Sequence, residues 1–438
     1  MSTPEPSGDA GRRPVETDAG HHGLWPSPWP AEDGGPRRLQ VPHHGPGLGL
    51  QPGEQLEVTS RLAIASTMVV LRDPGEVYLL CHTGGDGSIS WVERIDPSTL
   101  ETIERSPDLP GGPTWPGGLA AHADGSLHVV FGRHAHRLAA DCTLLASAEL
   151  PRNRPYNSFV TLPSGHLVTK DFGGELPDAV THADPIRPCE LLVLDPVTLA
   201  AVASLELPEP SVARLSADGD DIYVVGDTRL HRVRWDGTSL VRDDVFDGSY
   251  LLHEGQTYGW DAVIADGAAW FLDDGRGTAA YGGSLRGCGT SGVPLHLVRV
   301  GLGDGAATLT EVSGLDGGIV ANPPCVDPSR RIVVAYDSGN GVVAAFRYDE
   351  HGRTSPSWRI ELDHGCHPIL WPDTGEVLVA DHDPEAGESI VIVDIETGAE
   401  KARASSGSPV QSVLFGAAGF ARDAYLCSFT TVTRIAVA

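Results

Sequence analysis

The sequence contains no run of 18 or more apolar residues, the length at which a membrane-spanning helix is normally suspected. Its first residues also lack the basic and then apolar order that is typical of a secretory signal. We therefore expect a cytoplasmic protein that makes no membrane contact.

Paired cysteines and the common catalytic motifs are absent too. The seven cysteines are scattered and never form Cys-x-x-Cys, so neither a zinc ribbon nor a disulfide framework is indicated. No phosphate-binding Gly-x-x-x-x-Gly-Lys-Ser/Thr loop, His-Glu-x-x-His or Gly-x-Ser-x-Gly occurs. Residues 287–292 match Gly-x-Gly-x-x-Gly, but a strand-like run follows where a dinucleotide site needs a helix.

What the chain has in excess is negative charge and turn-forming residues. The formal net charge of -28 repels phosphate backbones, which excludes nucleic acid as a natural partner. The 53 glycines and 34 prolines indicate many turns and argue against long helices. We therefore expect an all-β protein.

A repeated unit defines the predicted fold. Residues 366–383 contain an apolar run, a Pro/Asp/Gly turn, a second run rich in β-branched residues, and acidic residues where that run ends. This is the pattern of two antiparallel strands. The unit recurs at spacings of roughly 40 to 60 residues, as propeller blades do. The eight repeats open at Thr67, Gly117, Asn157, Ser211, Gly259, Asn322, His367 and Gln411.

The repeats predict a single β-propeller over residues 53–438, with eight four-stranded blades and seven as the alternative. The last repeat supplies only three strands before the chain ends, so a strand near Leu56 should complete that blade and close the ring. Residues 1–52 are rich in Pro, Gly and charge and are predicted to be a disordered or draped arm.

Two segments resemble a known family of repeats. Residues 333–346 and 378–398 are similar to the second strand, loop, third strand and Asp turn of YVTN-type and quinoprotein-like (PQQ-like) β-propellers. The resemblance implies the fold and names no reaction. The Asp of that turn, as at Asp96, Asp195 and Asp394, is expected to accept hydrogen bonds from turn amides.

The top face, where the first strands of the blades begin, is the predicted binding face. Polar residues at the openings should converge near the axis, and further polar groups follow the second strands. Long connections at 173–189 and 275–294 indicate lids over the same face. The candidate ligand-binding residues are Thr67, His82, Asn157, Lys170, Asp171, Ser211, Trp260, Asp274, Asn322, Asp381 and Gln411.

Two functions remain open from the sequence. The first is a monomeric propeller that binds a small molecule or a protein at the top face. The second is a metal-assisted hydrolase or lyase in which His367 and His382 hold a divalent metal and act with Asp261 as acid or base.

The second function draws on a resemblance to lactonase-like and streptogramin-lyase-like propellers, which hold a metal near the axis. Pyrroloquinoline quinone (PQQ) is not expected as a cofactor, because adjacent cysteines and a repeated tryptophan docking motif are missing.

Overall fold

The computed structural model describes residues 13–177, 180 and 182–438. Within these residues it is an eight-bladed β-propeller with four antiparallel strands in the ladder of each blade. The predicted fold class is confirmed. Alternating β-branched and apolar residues bury the inner strands of neighbouring blades against one another, whereas the outermost strands show the exposed and half-buried alternation of a sheet edge.

The strands are numbered in chain order, and the first belongs to the last blade. The first four complete blades have these bounds: β2 (Ser66–Leu71), β3 (Val77–His82), β4 (Ser88–Ile95), β5 (Thr102–Arg105), with β6 (Leu109–Gly112) beside β4; β7 (Gly118–Ala121), β8 (Leu127–Phe131), β9 (His134–Leu138), β10 (Leu144–Glu149); β11 (Tyr156–Thr161), β12 (Leu167–Asp171), β13 (Glu190–Leu194), β14 (Ala201–Glu206); β15 (Ser216–Asp218), β16 (Asp221–Val225), β17 (Arg229–Trp235), β18 (Leu240–Arg242), with β19 (Gly248–Ser249) beside β17.

Blades 5 to 8 follow the same order from the axis outward. Their strands are β20 (Val263–Ala265), β21 (Ala268–Leu272), β22 (His296–Gly301), β23 (Ala307–Glu311); β24 (Cys325–Asp327), β25 (Ile332–Asp337), β26 (Val342–Tyr348), β27 (Thr354–Glu361); β28 (Ile369–Trp371), β29 (Glu376–Asp383), β30 (Gly387–Asp394), β31 (Glu400–Ser405); β32 (Gly416–Ala418), β33 (Asp423–Ser428), β34 (Thr431–Val437) and β1 (Leu56–Leu62).

The ring closes as predicted, in blade 8. Strand β1 pairs antiparallel with β34 over its full length, from Leu56 opposite Val437 to Leu62 opposite Thr431. The last repeat was expected to open at Gln411, but the inner strand of blade 8 begins at Gly416. No helix among the described residues is long and apolar enough to cross a membrane.

Aspartates at the outer turns have the predicted structural role. Oδ1 of Asp96 accepts hydrogen bonds from the amides of Ser98 (2.8 Å) and Thr99 (2.9 Å). Asp195 and Asp394 make the equivalent pairs of bonds in blades 3 and 7. These carboxylates therefore fix the turn between third and fourth strands and are not site residues.

The described part of the arm, from Arg13, packs along the propeller. Between Trp29 and Gln40 its carbonyls accept hydrogen bonds from the inner strands of five blades. The donors are the amides of Leu71, Ala121, Ala217, Ile264 and Leu370, at 2.7 to 2.9 Å. A 3-10 turn at Glu32–Gly34 is buried, and Trp29 is 1% exposed. The arm thus lies across the end of the axis opposite the top face, while the predicted boundary at residue 52 stays a prediction.

Candidate functional site

A cavity of about 220 Å³ opens at the top face over the axis. It lies where several inner strands begin, and its lining combines the aromatic side chains of Trp115, Trp260, Tyr281 and Phe429 with aliphatic and a few polar residues. The Trp115 ring stacks on Phe172 with 4.3 Å between centroids and lies nearly parallel to Trp260 at 6.3 Å. Flat, rigid walls of this kind complement a planar apolar molecule.

The predicted lid at 275–294 reaches across the ring from blade 5 to blade 8. The Gln411 amide donates to the Gly283 carbonyl at 2.7 Å, and the Leu285 amide donates to Gln411 Oε1 at 2.6 Å. The Tyr281 hydroxyl donates to the Gln411 carbonyl, and Arg286 pairs with Asp363 at 2.6 Å. These bonds hold Tyr281 and Leu285 in the cavity wall.

His82, at the end of β3, is a neutral polar group in the wall. Its ring packs on Phe131 at 4.7 Å between centroids, and its Nδ1 lies 2.8 Å from the Thr83 carbonyl. Burial lowers the pKa of His82, so the imidazole is uncharged near neutral pH. Its Nε2 is buried and has no hydrogen-bond partner among the described residues.

Arg214 places a buried guanidinium in the cavity wall towards the axis. Its Nε lies 2.8 Å from Glu32 Oε1 in the arm, and its Nη2 donates to the Pro116 carbonyl at 3.0 Å. Its backbone amide donates to Asp261 Oδ1 at 2.7 Å, and the guanidinium lies 4.6 Å from the centre of the Phe415 ring. These contacts tie the cavity to the arm.

Beneath Arg214 the arm contributes a buried charge cluster. Arg38 Nη1 donates to Glu32 Oε1 at 2.7 Å and to Asp33 Oδ2 at 2.8 Å. Its Nη2 donates to Ser158 Oγ at 2.9 Å, and Asp33 Oδ1 lies 2.7 Å from His367 Nδ1. Burial opposes ionisation of Asp33, but His367 and Arg38 hold the pKa of its carboxyl below the ordinary value.

Three of the predicted binding residues line the cavity: His82, Trp260 and Asn322. The Asn322 side chain donates to the carbonyls of Gly365 and of Val413, which joins blades 6, 7 and 8 at the top. Gln411 supports the lid. Two of the three predicted catalytic residues, Asp261 and His367, lie against the charge cluster, outside the cavity lining.

The other predicted ligand residues are engaged in the protein's own hydrogen bonds. Thr67 donates to the Leu80 carbonyl, Asn157 to Val212, Ser211 to Val225 and Lys170 to Ser211, all away from the cavity lining. Asp171 pairs with Arg152, Asp274 accepts from the Thr257 amide, and Asp381 pairs with Arg403. Their roles as ligand groups stay predictions.

His367 and His382 make separate contacts. The Nδ1 of His367 is directed to Asp33, whereas Nε2 of His382 lies 3.3 Å from the Pro409 carbonyl. In the described part of the chain, the one group of three or more His, Cys, Asp or Glu side chains with metal-ligand spacing contains neither of them. Their role in metal binding remains a prediction.

That group is His122, Asp124 and His128 in the hairpin of blade 2, with ligand atoms within 4.8 Å of one another. The two imidazole rings stack with planes 5° apart and centroids 4.9 Å apart, and Asp124 also pairs with Arg137 at 2.8 Å. Because a nitrogen lone pair lies in its ring plane, parallel stacked rings do not aim at one ion. A metal would require one ring to turn.

Sequence reasoning missed Trp115, Arg214, Phe429 and the charged residues of the arm. Trp115 lies in a Gly-Pro-Thr-Trp-Pro connection just before the predicted opening at Gly117, whereas the recognised Trp260 directly follows the opening at Gly259. The charges at Glu32, Asp33 and Arg38 gave no local signal of burial, because charged residues in a polar segment are usually exposed.

Comparison with solved structures shows the same fold. The chain is similar to BamB from Moraxella catarrhalis (TM-score 0.52, 12% identity, 86% of this chain and 100% of that one). It is also similar to a quinohemoprotein alcohol dehydrogenase from Comamonas testosteroni (TM-score 0.63, 11% identity, 95% and 81%) and to a europium-containing methanol dehydrogenase (TM-score 0.58, 10% identity, 91% and 89%).

No family model matches the sequence, and no curated protein does. The solved structures therefore show that the chain shares their β-propeller fold, and identities of 12% or less say nothing about its ligand.

Proposed function

We propose that this propeller binds a small planar aromatic molecule in the top-face cavity. The observation that carries the proposal is a cavity of about 220 Å³ whose lining includes Trp115, Trp260, Tyr281 and Phe429 beside aliphatic and a few polar residues. A space of this size is smaller than the roughly 300–1,000 Å³ of most ligand pockets, so it suits a small ligand of one or two rings.

The rigidity of the walls supports binding in preference to a loose surface contact. Trp115 is held by its stack on Phe172, Trp260 donates from Nε1 to the Gly275 carbonyl at 3.3 Å, and Tyr281 is fixed to Gln411. Walls that are ordered before the ligand arrives reduce the entropy lost on binding. The cavity is therefore suited to ligands of one particular shape.

A cavity-filling variant tests this function. Ala321 lines the cavity, and Ala321→Phe fills it without removing a polar contact. The matched control is Ala201→Phe, an exposed position on β14. Binding of 2-methoxynaphthalene is measured by quenching of tryptophan fluorescence and by calorimetry. We expect the parent protein and Ala201→Phe to bind and Ala321→Phe to lose binding.

Equal binding of 2-methoxynaphthalene by both variants would show that it binds at another site. No binding by the parent protein would refute an aromatic pocket.

The metal-assisted hydrolase or lyase is supported less well. It requires His367 to reach a substrate, whereas His367 is 1% exposed and its Nδ1 contacts Asp33. Its test is metal analysis of the purified protein together with His367→Ala. A stoichiometric divalent metal that is lost in the variant would favour it.

A further inference from the structure

We propose that residues 278–286, the tip of the blade 5 lid, form a gate that opens away from Gln411 to let a ligand enter and leave the top-face cavity. Because the gate serves the proposed binding site, it rests on the proposed function. Three features carry it: the tip lines the cavity, one residue of blade 8 holds the tip closed, and the lid is anchored on both sides of the tip.

The lid tip forms one side of the cavity. Four of its residues belong to the lining: Thr278, Ala279, Tyr281 and Leu285. The arm lies across the opposite end of the axis, so a ligand approaches from the top face, which the lid crosses between blades 5 and 8. Movement of the tip would therefore widen the entrance to the cavity.

Gln411 holds the tip closed. Its backbone amide donates to the Gly283 carbonyl at 2.7 Å, its carbonyl accepts from the Tyr281 hydroxyl, and its Oε1 accepts from the Leu285 amide at 2.6 Å. Apart from one ion pair, these are the hydrogen bonds that join the tip to the ring among the described residues. A single latch therefore controls the position of the tip.

Other contacts stabilise the closed tip only weakly. The ion pair of Arg286 with Asp363 lies at the surface, where such a pair contributes little. Leu285 is the one buried residue of the tip, and none of residues 278–286 belongs to a strand. Segments with few buried apolar contacts are those that open most readily. The tip is therefore the part of the cavity wall best able to move.

The lid is anchored on both sides of the tip. Before it, the Gly275 amide donates to the Tyr258 carbonyl at 2.9 Å, and after it the Gly287 amide donates to the Gly339 carbonyl at 3.0 Å. Gly277 and Gly287 flank the tip with φ of 97° and 72°, angles that glycine adopts freely. These two positions can act as hinges while the rest of the lid stays in place.

A gate differs from a structural support in its kinetics. If the tip is closed in both the free and the ligand-bound protein, weakening the latch raises the open fraction of both by the same factor. Association and dissociation then accelerate together, and the Kd is unchanged. Loss of a supporting wall contact would instead raise the dissociation rate and the Kd.

Gln411→Met tests the latch. Methionine keeps the length of the side chain but cannot accept from the Leu285 amide, and Gln51→Met is the exposed control. Stopped-flow tryptophan fluorescence measures both rate constants for 2-methoxynaphthalene. We expect both to be about fivefold higher in Gln411→Met, the effect of one hydrogen bond, with a Kd within about twofold of the parent value. Gln51→Met should match the parent protein.

A cross-link tests the gate in the opposite direction. A Cβ on Gly283 would lie 3.9 Å from the Cβ of Val410, and the Cβ atoms of a disulfide are about 3.5–4.5 Å apart. Gly283→Cys and Val410→Cys are combined with Cys288→Ser, which removes the one native thiol that is not buried. Because Gly283 has a φ of 112°, cysteine there strains the backbone, so the reduced form of the same variant is the control.

The oxidised variant should bind and release 2-methoxynaphthalene more slowly than its reduced form, by about tenfold or more. Equal rates in the two forms would overturn the gate and leave the aromatic pocket standing. So would unchanged rates in Gln411→Met, or a rise in its dissociation rate and Kd without faster association. Failure of the two cysteines to join on oxidation would contradict the closed position of the tip.

No binding of 2-methoxynaphthalene by the parent protein would instead refute the proposed function itself.

Discussion

Three charged side chains of the arm form buried contacts with residues of the ring near its axis. Glu32, Asp33 and Arg38 are buried, and each finds a partner on another segment: Glu32 on Arg214, Asp33 on His367, and Arg38 on Ser158. Ions can be buried only when paired, so these side chains order the arm as one unit with the ring. Through the contact of Glu32 with Arg214, this cluster also supports one wall of the cavity.

Removing Arg38 should therefore be costly. In Arg38→Ala the carboxylates of Glu32 and Asp33 lose a shared donor while remaining buried, and we expect a loss of about 3–5 kcal/mol in the free energy of unfolding. Arg13→Ala is the control, since Arg13 pairs with Asp266 at a half-exposed site where a pair contributes about 0–1 kcal/mol. Urea denaturation measures both, and similar losses would contradict the buried cluster.

Glu388 is a second buried carboxyl, and it has no cationic partner among the described residues. It accepts hydrogen bonds from the Ser412 amide at 2.6 Å and from the Ser412 and Ser406 hydroxyls. Burial raises its pKa from 4.5 to about 7, while the bonds from Ser412 act in the opposite direction. The folded protein therefore holds this proton more tightly than the unfolded chain does.

The contribution of Glu388 should be complete below about pH 4.5 and be lost as the pH rises through about 7. Glu388→Gln cannot ionise, so its thermal stability relative to the parent protein should increase from about pH 5 to about pH 8, by up to roughly 3 kcal/mol. Thermal melts across this range measure the difference. The exposed neighbour variant Glu385→Gln should follow the parent curve, and parallel curves for Glu388→Gln would disprove the assignment.

The arm and the closing strand are the two elements that turn eight separate hairpin repeats into a ring. Strand β1 supplies the outer edge of blade 8, and the segment from Trp29 to Gln40 bonds to inner strands in blades 1, 2, 4, 5 and 7. The lid of blade 5 makes a third long-range connection, to Gln411. Each element acts by satisfying backbone groups that a single blade leaves open.

Trp29 should be the anchor of the arm. It is 1% exposed and packs in the same core as blades 1, 7 and 8. Trp29→Ala should cost about 3–5 kcal/mol and speed hydrogen exchange at the Leu71 amide, which donates to the Trp29 carbonyl. Trp25→Ala, at a half-buried position, is the matched control with a smaller loss. Unchanged exchange at Leu71 in Trp29→Ala would show that the arm is held elsewhere.

The whole molecule is a strongly acidic ring whose net charge is independent of its fold. A charge of -28 destabilises any compact state through self-repulsion, although many local ion pairs offset part of it. Repulsion of this kind is long-range and is screened by salt.

Raising sodium chloride from about 20 mM to about 300 mM should therefore increase the melting temperature, since the Debye length becomes shorter than the distance between most surface carboxylates. Potassium chloride should give the same shift, which separates screening from binding of one ion. A melting temperature that falls with salt would mean that surface ion pairs outweigh the net charge.

The repeat determined most of the fold from sequence. Turn residues between β-branched runs specify hairpins locally, their spacing specifies blades, and the shortened last repeat requires a strand from near Leu56. The turn role of Asp96, Asp195 and Asp394 could be predicted for the same reason, because each carboxylate accepts hydrogen bonds from amides only a few residues away. His82, Trp260 and Asn322 could be singled out because they occupy repeat positions on the top face.

The cavity's remaining walls and the axis were decided by tertiary structure alone. Asp33 contacts His367 across 334 residues of sequence, and Arg214 at the start of blade 4 contacts Glu32 in the arm, so no local pattern could pair them. The polar openings were predicted to converge, but closure gives Asn157 Nδ2 and Ser211 Oγ partners within the propeller and leaves Asn157 Oδ1 and His82 Nε2 without one among the described residues. The sequence specifies which side chains are available to bind, whereas ring closure determines which of them the protein itself has already satisfied.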